Sequence, residues 1–399
     1  MSNRFRNGLT VFMLVILAVS AFAAGYLTRE LVNGRGDSSL AHADQELSTF
    51  YEAWRLIDEN FLGALPEARD VTYGAIRGSL ATLNDPYTVF IEPAAREVER
   101  ERLQGKFGGI GAYIVRSEET GEVILETIPG NPAEIAGIVT GDVLLAVDGT
   151  LVTTETRVPE LIDRVKGEKG TAVVLTVRHP GATDSVDISV IRDDILLPSV
   201  VYRLLEQNGT IGYIQLSRFS GESSQEVGAA IQDLQSQGAT HLILDLRQNG
   251  GGLRDAAVEV VDHFLEDGPV LYLESQKDGE RVFNATAGSV APTEPLVVLI
   301  DGGTASASEI VAGALQDRDR AVLIGSRTFG KGSVQLVFDL SDGSSVHVTS
   351  ARWLTPNRNQ IDRSGLEPDI AVELTQEDID NGRDPALEEA ILYLQEHFN

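Results

Sequence analysis

Ser306 stands in the run Asp301-Gly302-Gly303-Thr304-Ala305-Ser306-Ala307-Ser308-Glu309, between an apolar segment, Leu296–Ile300, and an apolar helical pattern at Ile310, Val311, Ala314 and Leu315. A serine at a glycine-rich strand-to-helix turn lies among backbone N–H groups that no helix carbonyl reaches. The positive end of the helix dipole also favours negative charge there. The placement suits an acyl-transfer nucleophile, and it equally suits a serine that only caps the helix. A second turn, Arg247-Gln248-Asn249-Gly250-Gly251-Gly252, comes after an apolar strand pattern at 242–246. Three consecutive glycines permit the positive φ that turns a peptide N–H toward an oxyanion. Two such turns at the carboxyl ends of parallel strands would face one crevice.

The third segment is Gly325-Ser326-Arg327-Thr328-Phe329-Gly330-Lys331-Gly332-Ser333. It nearly spells a phosphate-binding loop, but Gly332 stands where the magnesium-binding Ser or Thr belongs, and Val334, Leu336 and Phe338 then alternate like a strand instead of opening a helix. Only five of the 32 basic residues are Lys, and Lys331 is the single one after residue 277. Arg keeps its proton near neutral pH, whereas a desolvated Lys can lose it and serve as base to a serine hydroxyl. The competing base would be His241, His263 or His347, none of which sits in a glycine-flanked turn. No His pair occurs at metal-ligand spacing, so neither a metal nor another cofactor is expected.

These residues need elements to hold them. At 42% hydrophobic and 23% charged the composition is that of a globular chain long enough for two or three domains. A net charge of -28 repels phosphate backbones and argues against a nucleic-acid partner, and the absence of Cys excludes disulfide scaffolds and thiol chemistry. Arg4 and Arg6 precede an uncharged run over 8–27, whose twenty residues would span roughly 30 Å as a helix, about one bilayer core. It reads as an uncleaved membrane anchor or a signal segment, with the remainder exported. A polar tether covers 33–46. Helical spacing of Phe50, Trp54, Ile57 and Phe61 and a second stretch at 73–83 give a small helical region with too little core to stand alone. Short strands at 112–115, 123–127, 143–147, 172–178 and 185–191, with helices at 132–136 and 158–166, give a β-rich module. From 211 onward strands and helices alternate, including a strand at 270–274, which predicts an α/β domain with a largely parallel sheet.

Asp245-Leu246-Arg247-Gln248-Asn249-Gly250-Gly251-Gly252, Thr304 through Ile310, and Thr328 through Gln335 resemble the three signatures of the C-terminal processing peptidases, serine proteases with a Ser/Lys dyad. Gly250 stands where many members have Pro, and Thr304 where many have Ser. Phe107 through Ala112, Pro129 through Gly137, Gly141-Asp142 and Val147-Asp148-Gly149 resemble the PDZ domain those enzymes carry, and Asn84-Asp85-Pro86-Tyr87-Thr88 is similar to the segment before it. The resemblance implies a ClpP/crotonase-like α/β core with an inserted PDZ domain. It implies Ser306 as nucleophile, Lys331 as base, Gln335 orienting the lysine, and N–H groups of Gly251 and Ala307 as the oxyanion hole. It also implies substrate binding at Gly109, Ile110, Gly111 and Ala112, where two N–H groups could hold a terminal carboxylate beside Ile110 and Ile135.

The expected organisation is an anchor or signal segment at 1–28, a linker at 29–46, a helical region at 47–105, a PDZ domain at 106–193, a peptidase domain at 194–380 and a C-terminal helix at 381–399. The expected partners are protein substrates with accessible C-termini, a second copy of the chain in a homodimer, and the membrane. The expected location is the bacterial inner membrane with the catalytic part outside the cytoplasm. The alternative is an exported binding protein whose PDZ-like module works on a degenerate scaffold.

Overall fold

The computed structural model describes residues 40–205 and 210–398. The stretch at 8–27 read as an anchor lies outside them. Among the described residues no helix is long and apolar enough to cross a membrane. The chain divides into two compact units, 1–76 and 77–399. In the first, a helix runs over Leu40–Asn60, so helix takes the place of the carboxyl end of the expected tether. Phe50, Ile57 and Phe61 are exposed. A second helix, Ala68–Ala81, comes next.

The second unit is organised by a sheet in the order Val200–Leu204, Ile211–Leu216, His241–Asp245, Leu296–Ile300, Val322–Gly325, Ile370–Ala371, parallel except for its first strand. Leu296–Ile300 is buried at every position, as a central strand covered on both faces must be, which explains its unbroken apolar run. One face is covered by the helices Ser223–Ser236, Arg254–Val261 and Ala307–Asp317, whose Val227, Ile231, Val260, Ile310 and Val311 share a core with Leu244 and Val298. The other carries the C-terminal helix Pro385–His397, which buries Ala390 and Leu394 against Ile243, Val297 and Leu299.

The strand expected at 270–274 does not join this parallel sheet. It belongs instead to a second, antiparallel sheet, Val89–Ile91, Ser345–Leu354, Pro269–Ser275, Gly279–Asn284, with Ser333–Asp339 paired to Ser345–Leu354. A helix at Pro93–Gln104, inside the region expected to be helical but not singled out there by periodicity, precedes the β-rich module. It begins on a proline and ends at Gly105 in the left-handed conformation, φ 77°.

The module has its own core. Val173, Leu175 and Val177 alternate inward along Ala172–Arg178 and meet Leu125, Leu144 and Leu161. Its entry and exit strands, Lys106–Gly109 and Asp193–Leu196, pair antiparallel with each other. A module whose two ends lie side by side can be inserted in another domain without separating what flanks it, which is how it sits between Pro93–Gln104 and Val200–Leu204.

Candidate active site

The two glycine-rich turns come after adjacent parallel strands and are bonded to one another. Gln248 N–H donates to Asp301 Oδ1 at 2.9 Å, Ala305 N–H to Asn249 O at 3.0 Å, Ser308 Oγ to Asn249 O at 2.8 Å and Thr304 Oγ1 to Leu246 O at 2.9 Å. Asn249, Thr304 and Ser308 are fully buried, so the inner part of this polar lattice is closed to solvent and specifies one geometry, while the Gln248–Asp301 bond lies at its exposed edge. Gly251, at φ 101°, lies so near the second turn that a Cβ would come 2.8 Å from Ala305 O and 2.9 Å from Ser306 Cβ. Only glycine permits that approach.

Ser306 directly precedes the helix Ala307–Asp317 with φ 55° and ψ -113°, a conformation that costs a non-glycine residue about 1–3 kcal/mol and persists only where its surroundings enforce it. Ala307, at the first helical position, has an N–H that no carbonyl of its own helix can reach. The enforcing group is Glu309, fully buried in the first turn. Its Oε2 accepts from Ser306 N–H at 2.8 Å and Lys331 N–H at 2.9 Å, and its Oε1 from Thr328 Oγ1 at 2.5 Å and Gly330 N–H at 2.7 Å. One carboxylate therefore joins the serine turn to the lysine loop. The sequence pattern shows Glu309 three residues after Ser306, the spacing of a capping box, but not its reach to residues 328–331.

Lys331 is held further by Trp353, whose Nε1 donates to Lys331 O at 3.1 Å and whose N–H donates to Gly332 O at 2.9 Å. Burial pushes the Lys331 ammonium below its ordinary pKa, and the charges of Glu99 and Glu309 oppose that shift. Ser306, Ala307, Lys331 and Gln335 line one cleft of about 490 Å³, together with Gly250, Gly252, Glu99 and His347.

Two expected details differ. The Gly251 N–H donates to Asn249 Oδ1 at 2.9 Å, and Gly250 and Gly252, not Gly251, line the cleft. The Gln335 amide nitrogen donates to Ser333 Oγ at 2.9 Å and Thr349 Oγ1 at 3.4 Å, and no hydrogen bond joins its side chain to Lys331, at a point where a β-bulge shifts the register after Val334. Sequence reasoning sees neither: Asn249 and Ser333 each stand only two residues from the group they engage, but whether so near a side chain turns to it is set by the folded backbone, and Thr349 comes from the neighbouring strand.

Of the three histidines, His241 and His263 lie outside the cleft, His263 with its Nε2 2.7 Å from Ser224 O. His347 lines it, with Nε2 3.2 Å from Glu99 Oε2, and burial holds its pKa below the ordinary imidazole value. Its strand position is legible in the sequence, but its place in the cleft is not.

In the β-rich module Gly109 ends the ribbon opposite Asp193, and Ala112 opens the first strand of the sheet opposite Thr127. Between them Ile110 is buried, its carbonyl accepting from Ala133 N–H at 2.8 Å, and Gly111 has φ 71° with its carbonyl accepting from Ile128 N–H at 2.9 Å. Asn131 packs where a Gly111 side chain would stand. Ile135 is exposed, while Ile110 belongs to the module's own core and is not open to a ligand side chain.

Known proteins share this sequence pattern. Residues 210–372 match the model of Peptidase family S41, residues 123–179 a PDZ domain, and residues 19–95 the N-terminal domain described for the activating protease CtpB. The chain is 40% identical over 338 residues to the carboxyl-terminal-processing protease of Picosynechococcus sp., covering 84% of this chain and 80% of that one. It is 34% identical to the carboxy-terminal processing protease CtpA of Bacillus subtilis, covering 91% and 77%. It is 35% identical to the chloroplastic carboxyl-terminal-processing peptidase 2 of Arabidopsis thaliana, covering 92% and 76%. Among solved structures, the photosystem II D1 C-terminal processing protease aligns at 34% identity over 82% of this chain and 93% of that one, with a TM-score of 0.46.

Proposed function

The chain belongs to the carboxyl-terminal processing protease family and is a serine-type peptidase with a PDZ domain, and on that premise we propose that Ser306 is its nucleophile and Lys331 its general base. The observation that carries the reading is the shared carboxylate: Glu309 Oε2 accepts the N–H of both residues, at 2.8 and 2.9 Å, and so brings the two segments together at one cleft. Neutral Lys331 Nζ takes the Ser306 proton as Oγ attacks a peptide carbonyl, the lysine returns that proton to the leaving amine, and water then hydrolyses the acyl-enzyme by the same route. Ala307 N–H supplies one oxyanion donor. Gly251 supplies the second once its peptide turns away from Asn249, and Gln335 steadies Lys331 once its carbonyl oxygen turns to accept from the lysine.

The pH dependence has a definite sign. The base must be neutral, so activity rises as pH climbs through the Lys331 pKa, which burial places below the free value of about 10.4. His347, held below the ordinary imidazole value, contributes no rise above neutrality. A pH–rate profile should therefore still be climbing beyond pH 7. One that is flat from pH 7 upward would move the base to a histidine.

Substrate selection falls to the PDZ domain, whose backbone N–H groups around Ile110 and Gly111 would hold a terminal carboxylate while the peptide adds to a sheet edge. A protein substrate ending in an apolar residue with a free carboxylate should be cleaved faster than the same substrate ending in an amide, and equal rates would remove carboxylate recognition. The exposed apolar residues Phe50, Ile57 and Phe61 are the proposed self-association face. Deleting residues 29–80 should leave a monomer by sedimentation, and a fragment that remains dimeric would place the interface elsewhere. The apolar run at 8–27 would hold the catalytic part outside the cytoplasm, with the chain entering the membrane by that segment.

A further inference from the structure

A base that accepts a proton in a half-dry cleft becomes an ammonium that needs a partner, and the groups expected to supply one are engaged. Glu309 already receives four donors. Glu99 is held by Arg96 Nη1 at 3.0 Å and faces His347 Nε2 at 3.2 Å. Asp362, on the loop beside Gly332, accepts Gly332 N–H at 3.3 Å. What lies over Lys331 Nζ is the ring of Tyr87, its centroid 5.2 Å away, within the distance at which a π-face attracts a cation.

The ring is fixed where it stands. Asp85 accepts Tyr87 N–H at 3.1 Å and Thr88 Oγ1 at 2.6 Å, and Thr88 Oγ1 accepts Thr349 N–H at 3.1 Å. The next residues, Val89–Ile91, pair with Ser345–His347. Tyr87 is thereby tied to the sheet that carries the lysine loop. Burial and the nearby carboxylates of Asp362 and Glu309 push its phenol pKa up, so the ring stays a neutral quadrupole throughout the working range.

We propose that the face of Tyr87 takes up the positive charge that Lys331 gains when it accepts the Ser306 proton, which makes Tyr87 a positioning residue for the base. The inference rests on Ser306 and Lys331 having the roles given above. In the step, the Ser306 O–H bond breaks as an N–H bond forms on Nζ. The Oγ electron pair goes to the carbonyl carbon and the carbonyl π pair to its oxygen, so one cation and one oxyanion arise together. The oxyanion hole supports the second charge, and the ring supports the first.

The test compares Tyr87→Phe, Tyr87→Leu and a Tyr87→Phe variant bearing three ring fluorines, which withdraw π-density at nearly constant shape. Tyr87→Phe should keep its activity. Tyr87→Leu and the fluorinated variant should lose about 2- to 30-fold in kcat at the alkaline plateau with little change in KM. Their ascending limb should also move to lower pH, because removing support from the ammonium lowers the Lys331 pKa. The deficit then grows with pH, which a merely structural defect would not produce. If Tyr87→Leu does not fold, the fluorinated pair decides alone. Equal profiles for the plain and fluorinated rings would overturn the proposal, as would a loss of the same size at every pH. A Lys331→Ala variant that still cleaves would instead sink the dyad on which it rests, so the two failures are distinguishable.

Discussion

Ser306→Ala and Lys331→Ala are each expected to lower proteolysis by on the order of 10⁴- to 10⁶-fold, the scale seen when one member of a catalytic unit is removed. The protein should remain folded. The strained Ser306 backbone is enforced by Glu309 and the neighbouring turn rather than by its hydroxyl, and Lys331 is anchored through its main chain, by Glu309 and Trp353. Lys331→Arg should fail as completely as Lys331→Ala, because a guanidinium keeps its proton at any working pH. An assay on an unfolded protein substrate checks all three, with circular dichroism to show that the fold persists. Substantial activity in Lys331→Arg would remove the lysine from the role of base.

The second large effect belongs to Glu309. Removing its side chain leaves the donors of Ser306, Thr328, Gly330 and Lys331 facing a buried void. A buried donor left unmet costs about 1–3 kcal/mol, so Glu309→Ala should lose a large part of a domain's usual margin of roughly 5–15 kcal/mol. Urea unfolding should show a much lower midpoint. Glu309→Gln is the sharper variant. It keeps the shape and one acceptor oxygen, but sets an amide NH₂ against at least one N–H donor, either that of Gly330 or those of Ser306 and Lys331, which strains the bridge between the serine turn and the lysine loop. A displacement of about 1 Å at a reacting pair costs about 10²-fold, so kcat should fall by at least that while the fold survives. Wild-type kcat in Glu309→Gln would show that this carboxylate does not set the geometry of the two segments.

Sequence patterns are most telling where structure is local. Leu296–Ile300 announces a buried central strand by its unbroken apolar run, and Val173, Leu175 and Val177 announce a half-buried one by alternation. The glycine triplet and the Ser306 turn are legible as paired turns because their strands are neighbours in a parallel sheet. The helix Pro93–Gln104 escapes because its composition, with Arg96, Glu97, Glu99, Arg100, Glu101 and Arg102, presents no apolar stripe. Its proline start and Gly105 stop are the signal available.

The antiparallel sheet escapes for a different reason. It pairs Val89–Ile91 with Ser345–His347, partners far apart along the chain whose register no local pattern encodes. The same distance hides the place of Tyr87 beside Lys331 and of Glu99 beside His347. What the sequence does not carry for Gly251 and Gln335 is the hydrogen-bond competition around them: Asn249 takes the one and Ser333 with Thr349 takes the other.

The central claim, that Ser306 attacks the peptide carbonyl with Lys331 as its base, is tested most directly by acid-quenching the enzyme during turnover of an activated peptide ester and mapping the acyl mass by peptide mass spectrometry. The account predicts an acyl group on Ser306 in the wild-type protein, and none in Ser306→Ala or Lys331→Arg. An acyl group on any other residue, or one that still forms on Ser306 at the wild-type rate in Lys331→Arg, would contradict it.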